Sequence, residues 1–301
     1  MKKRTFITIC TISGSHSYLL PHVYESLLSQ TRFHFEWMIM DMDARERTQV
    51  LVQEWQKENG RFPIRYVPCE ENGRTAVLQK AINLARGNYF CLLDPEEILS
   101  SEAAACFLEW IEGISMEEGL IGVSGTKCYL DGSPLTEGPL RIGIRGYVDA
   151  TYLERAKYGL EAPQFEVIQT KILREFPLQQ CQGEKDTPFR LTLDETAKRG
   201  YKMRWYAESV CRGEYLYGER SSCERRKERH NPMGYAMLYN NRLRCREQSF
   251  AVRFDAACHH IALSLRAHHP EYILKSYDRK MSLLALFPGI LLAFGGYYPF
   301  G

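Results

Sequence analysis

The chain has 301 residues, 45% hydrophobic and 25% charged, with a formal net charge of +2. It is long enough to bury a substantial core, and too nearly neutral for a nucleic-acid footprint over its whole surface. Its ten cysteines stand singly, with no C-x-x-C pair. That argues against a zinc ribbon or a disulfide-stapled secreted domain and favours a reducing cytosol.

Met1-Lys2-Lys3-Arg4 has the basic start of a signal peptide, but the apolar run after it is short and soon turns polar. Phe6 to Cys10 therefore reads as a first strand. Tyr18 to Ser29 has helical spacing through Leu19, Val23, Leu27 and Leu28, and Phe35 to Met40 is a continuous apolar run ending in Asp41. Val50 to Lys57 is helical again, Pro63 to Val67 is a strand, and Thr75 to Ala85 is a helix closed by Gly87. Tyr89 to Leu93 is a buried strand ending in Asp94. Strand and helix alternating through short links imply right-handed crossovers and a mostly parallel sheet, covered on both faces because its strands are apolar throughout.

Beyond residue 115 the pattern predicts a strand at Leu120 to Thr126, a turn at Asp131-Gly132, a helix from Glu166 to Phe176 ended by Pro177, a helix from Phe189 to Lys198, and a strand at Tyr201 to Tyr206. Glu219 to His230 is a basic loop or helix, and the remainder is helical and rich in His and Arg. Cys258-His259-His260 is not read as a metal site, because adjacent residues on a helix point to different faces. Residues 282–295 are nearly all apolar, yet shorter than the roughly 20 residues of a membrane span and interrupted by Pro288-Gly289. This tail is read as a terminal helix on the core or an interfacial segment, with Lys275, Arg279 and Lys280 placed to meet anionic headgroups.

In open α/β sheets ligands bind beyond the carboxyl ends of the strands. Thr11, Asp41 with Asp43, and Asp94 to Glu97 follow the first, second and fourth strands, so these polar groups collect at one edge. Two carboxylates at i and i+2, Asp94 and Glu96, can reach one Mg or Mn ion, which takes one or two such oxygens and leaves positions for phosphate. Pro95, Glu96 and Glu97 equally suit the first turn of a helix. A carboxylate at Asp41 can accept from a nucleobase or ribose, or merely form a turn. Arg74 at a helix start can meet base or phosphate with its planar fork. No Gly-x-Gly-x-x-Gly follows the first strand, which disfavours a dinucleotide-dependent dehydrogenase.

The order Thr8-Ile9-Cys10-Thr11, Ser29-Gln30-Thr31, Phe35-Glu36-Trp37 through Asp41, Glu71-Asn72-Gly73-Arg74 and Leu93-Asp94-Pro95-Glu96-Glu97 resembles the bacterial family 2 glycosyltransferases. The likeness resumes more loosely at Tyr158 to Leu178, Gly183-Glu184-Lys185, Glu214-Tyr215-Leu216 and Asn231-Pro232-Met233-Gly234. It implies a GT-A fold at 1–215, with a nucleotide-binding half at 1–115 and an acceptor half at 116–215, followed by a helical C-terminal region at 216–301. It also implies inverting transfer of a sugar from a nucleotide diphosphate sugar, UDP favoured, to a saccharide or lipid-linked acceptor in cell-surface polysaccharide synthesis. Thr11, Asp41, Asp43, Arg74 and Asp94 would hold the donor, and Asp94 with Glu96 the Mn or Mg ion. The chain departs from that pattern in three places: Met42-Asp43-Ala44 replaces Asp-Gly-Ser, Pro95-Glu96-Glu97 replaces Ser-Asp-Asp, and Phe189 stands where relatives carry a carboxylate. Asp186, and behind it Glu184, become the candidates for catalytic base. The alternative is a degenerate member that binds a nucleotide or a partner without transfer. No nucleic-acid partner is expected, and the expected location is the cytoplasm, including the inner face of the membrane.

Overall fold

The computed structural model describes residues 6–43, 46–135, 139–214, 222–246 and 248–294. The first part alternates as the pattern predicts: β1 (Ile7–Ser13), α1 (Leu20–Leu28), β2 (Phe35–Asp41), α2 (Glu46–Glu58), β3 (Ile64–Pro68), α3 (Arg74–Leu84) and β4 (Tyr89–Leu92). Then come β5 (Glu97–Leu99), α4 (Ala103–Ile114), β6 (Leu120–Tyr129), β7 (Tyr147–Ala150), β8 (Gln164–Gln169), α5 (Thr170–Glu175), α6 (Arg190–Lys198) and β9 (Lys202–Gly213). The helices α7 (Ser222–His230), α8 (Pro232–Arg242), α9 (Phe250–Arg266), α10 (Arg279–Leu284) and α11 (Leu286–Phe294) complete the order.

Among the described residues nine strands form one sheet in the order β3-β2-β1-β4-β8-β6-β9-β5, with β7 added on β9. The first four strands pair in parallel, whereas β8 runs antiparallel to both β4 and β6. Two antiparallel steps restore direction, so β6 and its parallel neighbour β9 end at the same edge as β1, β2 and β4.

Both faces are covered, as apolar strands require. Alternate residues go to opposite layers: Ile7, Ile9, Trp37 and Ile39 pack under α1, α2 and α4, while Cys10, Ile12, Met38 and Met40 pack under α3, α5 and α6. On the first face Tyr24 stacks on Trp37 and Trp55, with ring centroids 6.0 and 4.5 Å apart, pairs worth about 0.5–1.5 kcal/mol each beyond their burial. A third core joins Leu191 of α6 to α8, α9 and the α10–α11 pair through Tyr239, Ile261, Met281 and Ala285.

Two expectations are corrected. Glu166 to Phe176 is not one helix: Gln164–Gln169 is a strand, and only Thr170–Glu175 is helical. Phe165, Val167 and Ile168 can be buried between β4 and β6, and that pairing outweighs the helical spacing. Nor does Asp94-Pro95-Glu96-Glu97 open a helix, because Glu97 begins β5, which pairs with β9. Residues 215–216, where the two regions were divided, lie outside the described residues, as do Ala44, 219–221 and residue 295.

Candidate active site

The parallel register brings Ser13 beside Asp41 and Asp41 beside Pro68, and it sets Leu92, two residues before Asp94, beside Cys10. One edge therefore carries the polar ends of β1, β2 and β4. Thr11 does not reach it. β1 continues to Ser13, so Thr11 lies inside the strand, fully buried, and its hydroxyl accepts from the Trp37 indole at 3.0 Å. Ser13 is the residue at the edge.

Asp41 is also fully buried. It accepts from the Ser13 hydroxyl (3.2 Å), the Tyr66 hydroxyl (2.8 Å) and the Asp43 amide (3.2 Å). Three donors fix the carboxylate and leave about one lone-pair site for an incoming group. Burial, followed by the bond to Asp41, raises the pKa of the Tyr66 phenol, which keeps it a donor. Asp43 is exposed just beyond the strand end.

Asp94 is held by Arg74, whose guanidinium donates to its carboxylate. Burial works to raise the pKa of Asp94, but the cations of Arg74, Lys127 and Lys227 outweigh it and hold the carboxyl below the ordinary range. Asp94 is therefore an anion at neutral pH. The two glutamates after it diverge because Glu97 lies within a strand. Glu97 is buried, accepts from Lys127 at 2.6 Å and from the Asp94 amide at 3.4 Å. Glu96 is exposed and pairs with His16 at 3.2 Å.

Gly73 precedes α3 with φ +112°, and a Cβ there would lie 2.5 Å from the Lys185 carbonyl oxygen. That close approach lets the Thr75 amide donate to Lys185 (3.2 Å), while the Thr75 hydroxyl accepts from the Thr187 amide (2.7 Å). The Asn231 side chain accepts from the amides of Lys185 (3.0 Å) and Asp186 (2.9 Å). Asp186 is thereby set on the Arg74 side of the edge, within the field of Arg74 and 3.9 Å from Lys227.

Glu184 is differently employed. Its two oxygens accept from the amides of Met233 and Gly234, satisfying the open N–H groups at the start of α8. Phe189 packs against the second face of the sheet. Asp194 is buried against Asn241 at 2.9 Å, and burial raises its pKa.

The site thus unites Arg74, Asp94 and Asp186, and adds Lys127 and Lys227, which sequence reading did not single out. Lone lysines on a strand and a basic helix carried no signal of their own. A Mg or Mn ion fits the donor set in part. Asp94 offers an ionised, partly accessible carboxylate, and Glu96 has only a surface partner to leave. Among the described residues no three His, Cys, Asp or Glu side chains form a preformed cage, so most ligands would come from a diphosphate and water, as is usual for Mg. Beside the site, a cavity of about 430 Å³ opens at the carboxyl end of β6, lined by Thr126, Lys127, Leu140, Gln164 and Ser209. A larger one of about 610 Å³, by Phe176, Glu195 and Tyr201, lies before the start of β9, away from this edge.

Residues 14–113 match the family described as Glycosyl transferase family 2. Over 94 residues the chain is 31% identical to the uncharacterized glycosyltransferase MJ1057 of Methanocaldococcus jannaschii, 31% of each chain being covered. The match thus spans about a third of that relative's length. Among solved structures, the fold is similar to S. aureus TarS 1-349 in complex with UDP-GlcNAc, with a TM-score of 0.58 at 13% identity, covering 99% of this chain and 94% of that one. It is also similar to the mannosyltransferase PcManGT from Pyrobaculum calidifontis in complex with GDP-Man and Mn2+, with a TM-score of 0.61 at 15% identity, covering 98% and 89%. Residues 14–113 are thus similar to glycosyl transferase family 2, and the chain has the GT-A fold of these neighbours.

Proposed function

We propose that this chain transfers a sugar from a nucleotide diphosphate sugar, a UDP-sugar by preference, to a saccharide or lipid-linked acceptor in cell-surface polysaccharide assembly. The observation that carries the proposal is the meeting of Arg74, Asp94 and Asp186 at the carboxyl edge of a family 2 sheet. Asp41, oriented by Ser13 and Tyr66, and exposed Asp43 are the nucleoside contacts; buried Thr11 supports them only through Trp37. Asp94, with Glu96 turning from His16, would hold a Mn or Mg ion, which when bound supplies Lewis-acid neutralisation of the diphosphate. Arg74, which donates to Asp94, would be the cation beside the diphosphate.

Asp186 is the base. It is partly accessible, whereas both oxygens of Glu184 serve α8. Asp186 takes the acceptor hydroxyl proton as that oxygen bonds the anomeric carbon; the bond to the diphosphate breaks and its electron pair leaves with the phosphate, inverting the centre. The cavity beside Lys127 is the place for the acceptor, on the same edge. A lipid-linked acceptor and a cytoplasmic, membrane-facing location are favoured by the apolar tail and by the nine described cysteines, which form no disulfide among themselves.

Calorimetric titration with UDP, with and without Mn2+, followed by a donor-sugar panel scored by UDP release, tests the proposal. Mn2+-dependent UDP binding and turnover of one donor are expected, both lost in Asp94→Asn. Wild-type-like binding and turnover in that variant would remove Asp94 from the site. Phe189 in place of a carboxylate favours the second reading, nucleotide binding without transfer, and UDP binding with no turnover of any donor or acceptor would select it.

A further inference from the structure

The α10–α11 pair is amphipathic in an inverted sense. It presents its small residues to the protein: Ser282, Ala285 and Gly289 are buried, and a Cβ on Gly289 would stand 2.8 Å from that of Ile261 in α9. Arg266 locks the far end by donating to the carbonyls of Leu292 (2.9 Å) and Ala293 (3.1 Å). The large side chains point outward. Of seventeen exposed large apolar side chains among the described residues, seven fall between Leu283 and Phe294, with Leu283 74%, Phe287 71% and Phe294 83% exposed. A helix serving only to cover the core would bury these and expose the small ones.

We propose that this face is a docking surface for an anionic lipid bilayer, on which the helices lie without crossing it. Three observations choose lipid over another protein surface. Arg279 and Lys280 are exposed on the first turn of α10, and stepping by helical turns from Lys280 leads to Leu284, Phe287, Leu291 and Phe294, so cations border the apolar stripe. Residues 279–294 contain no Asp or Glu, and nearby Asp278 is engaged by Arg253, so a second copy meeting this face with the same face would bring no acid from it to pair with these cations. The sequence continues Gly-Gly-Tyr-Tyr-Pro-Phe-Gly, a composition suited to the headgroup boundary. Among the described residues no helix is long and apolar enough to cross a membrane, which fits a segment that lies in the interface. The surface stands independently of the catalytic reading.

The test is flotation of the full chain with phosphatidylcholine vesicles, with and without phosphatidylglycerol. The wild type should float with the anionic vesicles and less so at high salt. Arg279→Gln with Lys280→Gln should weaken partitioning about 30-fold, the effect of two cations near an anionic surface. Phe287→Ser, Leu291→Ser and Phe294→Ser together should abolish flotation, with melting temperature and UDP binding little changed because more than half of each residue faces solvent. A wild type that stays down with anionic vesicles, or a triple variant that floats like it, overturns the proposal. So does a wild-type dimer, by light scattering, that the triple variant makes monomeric.

Discussion

Replacing Gly73 with alanine tests how the two halves of the site are joined. Gly73 has φ +112° and ψ +156°, a region essentially restricted to glycine that costs other residues about 1–3 kcal/mol. The added Cβ would also stand 2.5 Å from the carbonyl oxygen and 2.8 Å from the Cα of Lys185. Those are backbone atoms that no rotamer change can move, and overpacking of this kind costs about 1–3 kcal/mol more. The narrower unfolded ensemble of alanine returns about 0.4–1 kcal/mol. The net expectation is a loss of about 3 kcal/mol, within a span of about 1–5 kcal/mol. Urea unfolding followed by tryptophan fluorescence reads it directly, since Trp37, Trp55, Trp110 and Trp205 all lie in the two faces of the sheet. Gly132→Ala is the matched control: its φ is +87° but nothing lies within 4 Å, so only the backbone contribution, about 1 kcal/mol, should appear. Arg74 follows Gly73 directly, and its placement against Asp94 and Asp186 relies on the Thr75 bonds to Lys185 and Thr187. Donor turnover in Gly73→Ala should therefore fall by up to about 10²-fold, the effect of a displacement near 1 Å. A stability change no greater than that of Gly132→Ala, with turnover intact, would show that the approach to Lys185 is not what holds the halves together.

Asp186→Asn should lower kcat by about 10²–10⁴-fold and leave UDP binding as it is. Glu184→Ala should act on stability instead, by about 1–3 kcal/mol for the two α8 amides it leaves open; a larger kcat loss in Glu184→Gln than in Asp186→Asn would exchange their roles. His260 is fully buried with its Nδ1 at 3.1 Å from the Ala236 carbonyl, and burial pulls its pKa below the ordinary 6.5. Below pH 6.5 the unfolded chain takes up a proton that the folded chain refuses, so stability falls on acidification from there, by at most about 1.4 kcal/mol per pH unit. His260→Gln should flatten that slope in urea midpoints measured across it, and an unchanged slope would assign the acid sensitivity elsewhere.

Much of the fold was legible because its first half is built from local signals. Apolar runs of strand length, helical spacing between them and short links determine a parallel, doubly covered sheet, and the polar residues that end those runs mark its ligand edge. Asp41, Asp43, Arg74 and Asp94 could be picked out on that basis, and the tail was visible as an apolar segment too short to span a membrane. What each side chain does was decided elsewhere. Thr11 is buried because β1 runs three residues further than its apolar run suggests. Glu96 and Glu97 part company because β5 pairs with β9, more than a hundred residues on, which sends one to solvent and the other to Lys127. Asp186 is available and Glu184 is not, because Asn231 and the start of α8 fold back on that loop. The tail turns most of its large residues outward because its close approach to α9 is made by Gly289 and Ala285, with Met281 and Leu292 beside them. Periodicity reports which residues face a neighbour; it carries no record of which neighbour, and hydrogen-bond partners as far as 112 residues away are set only when the layers close.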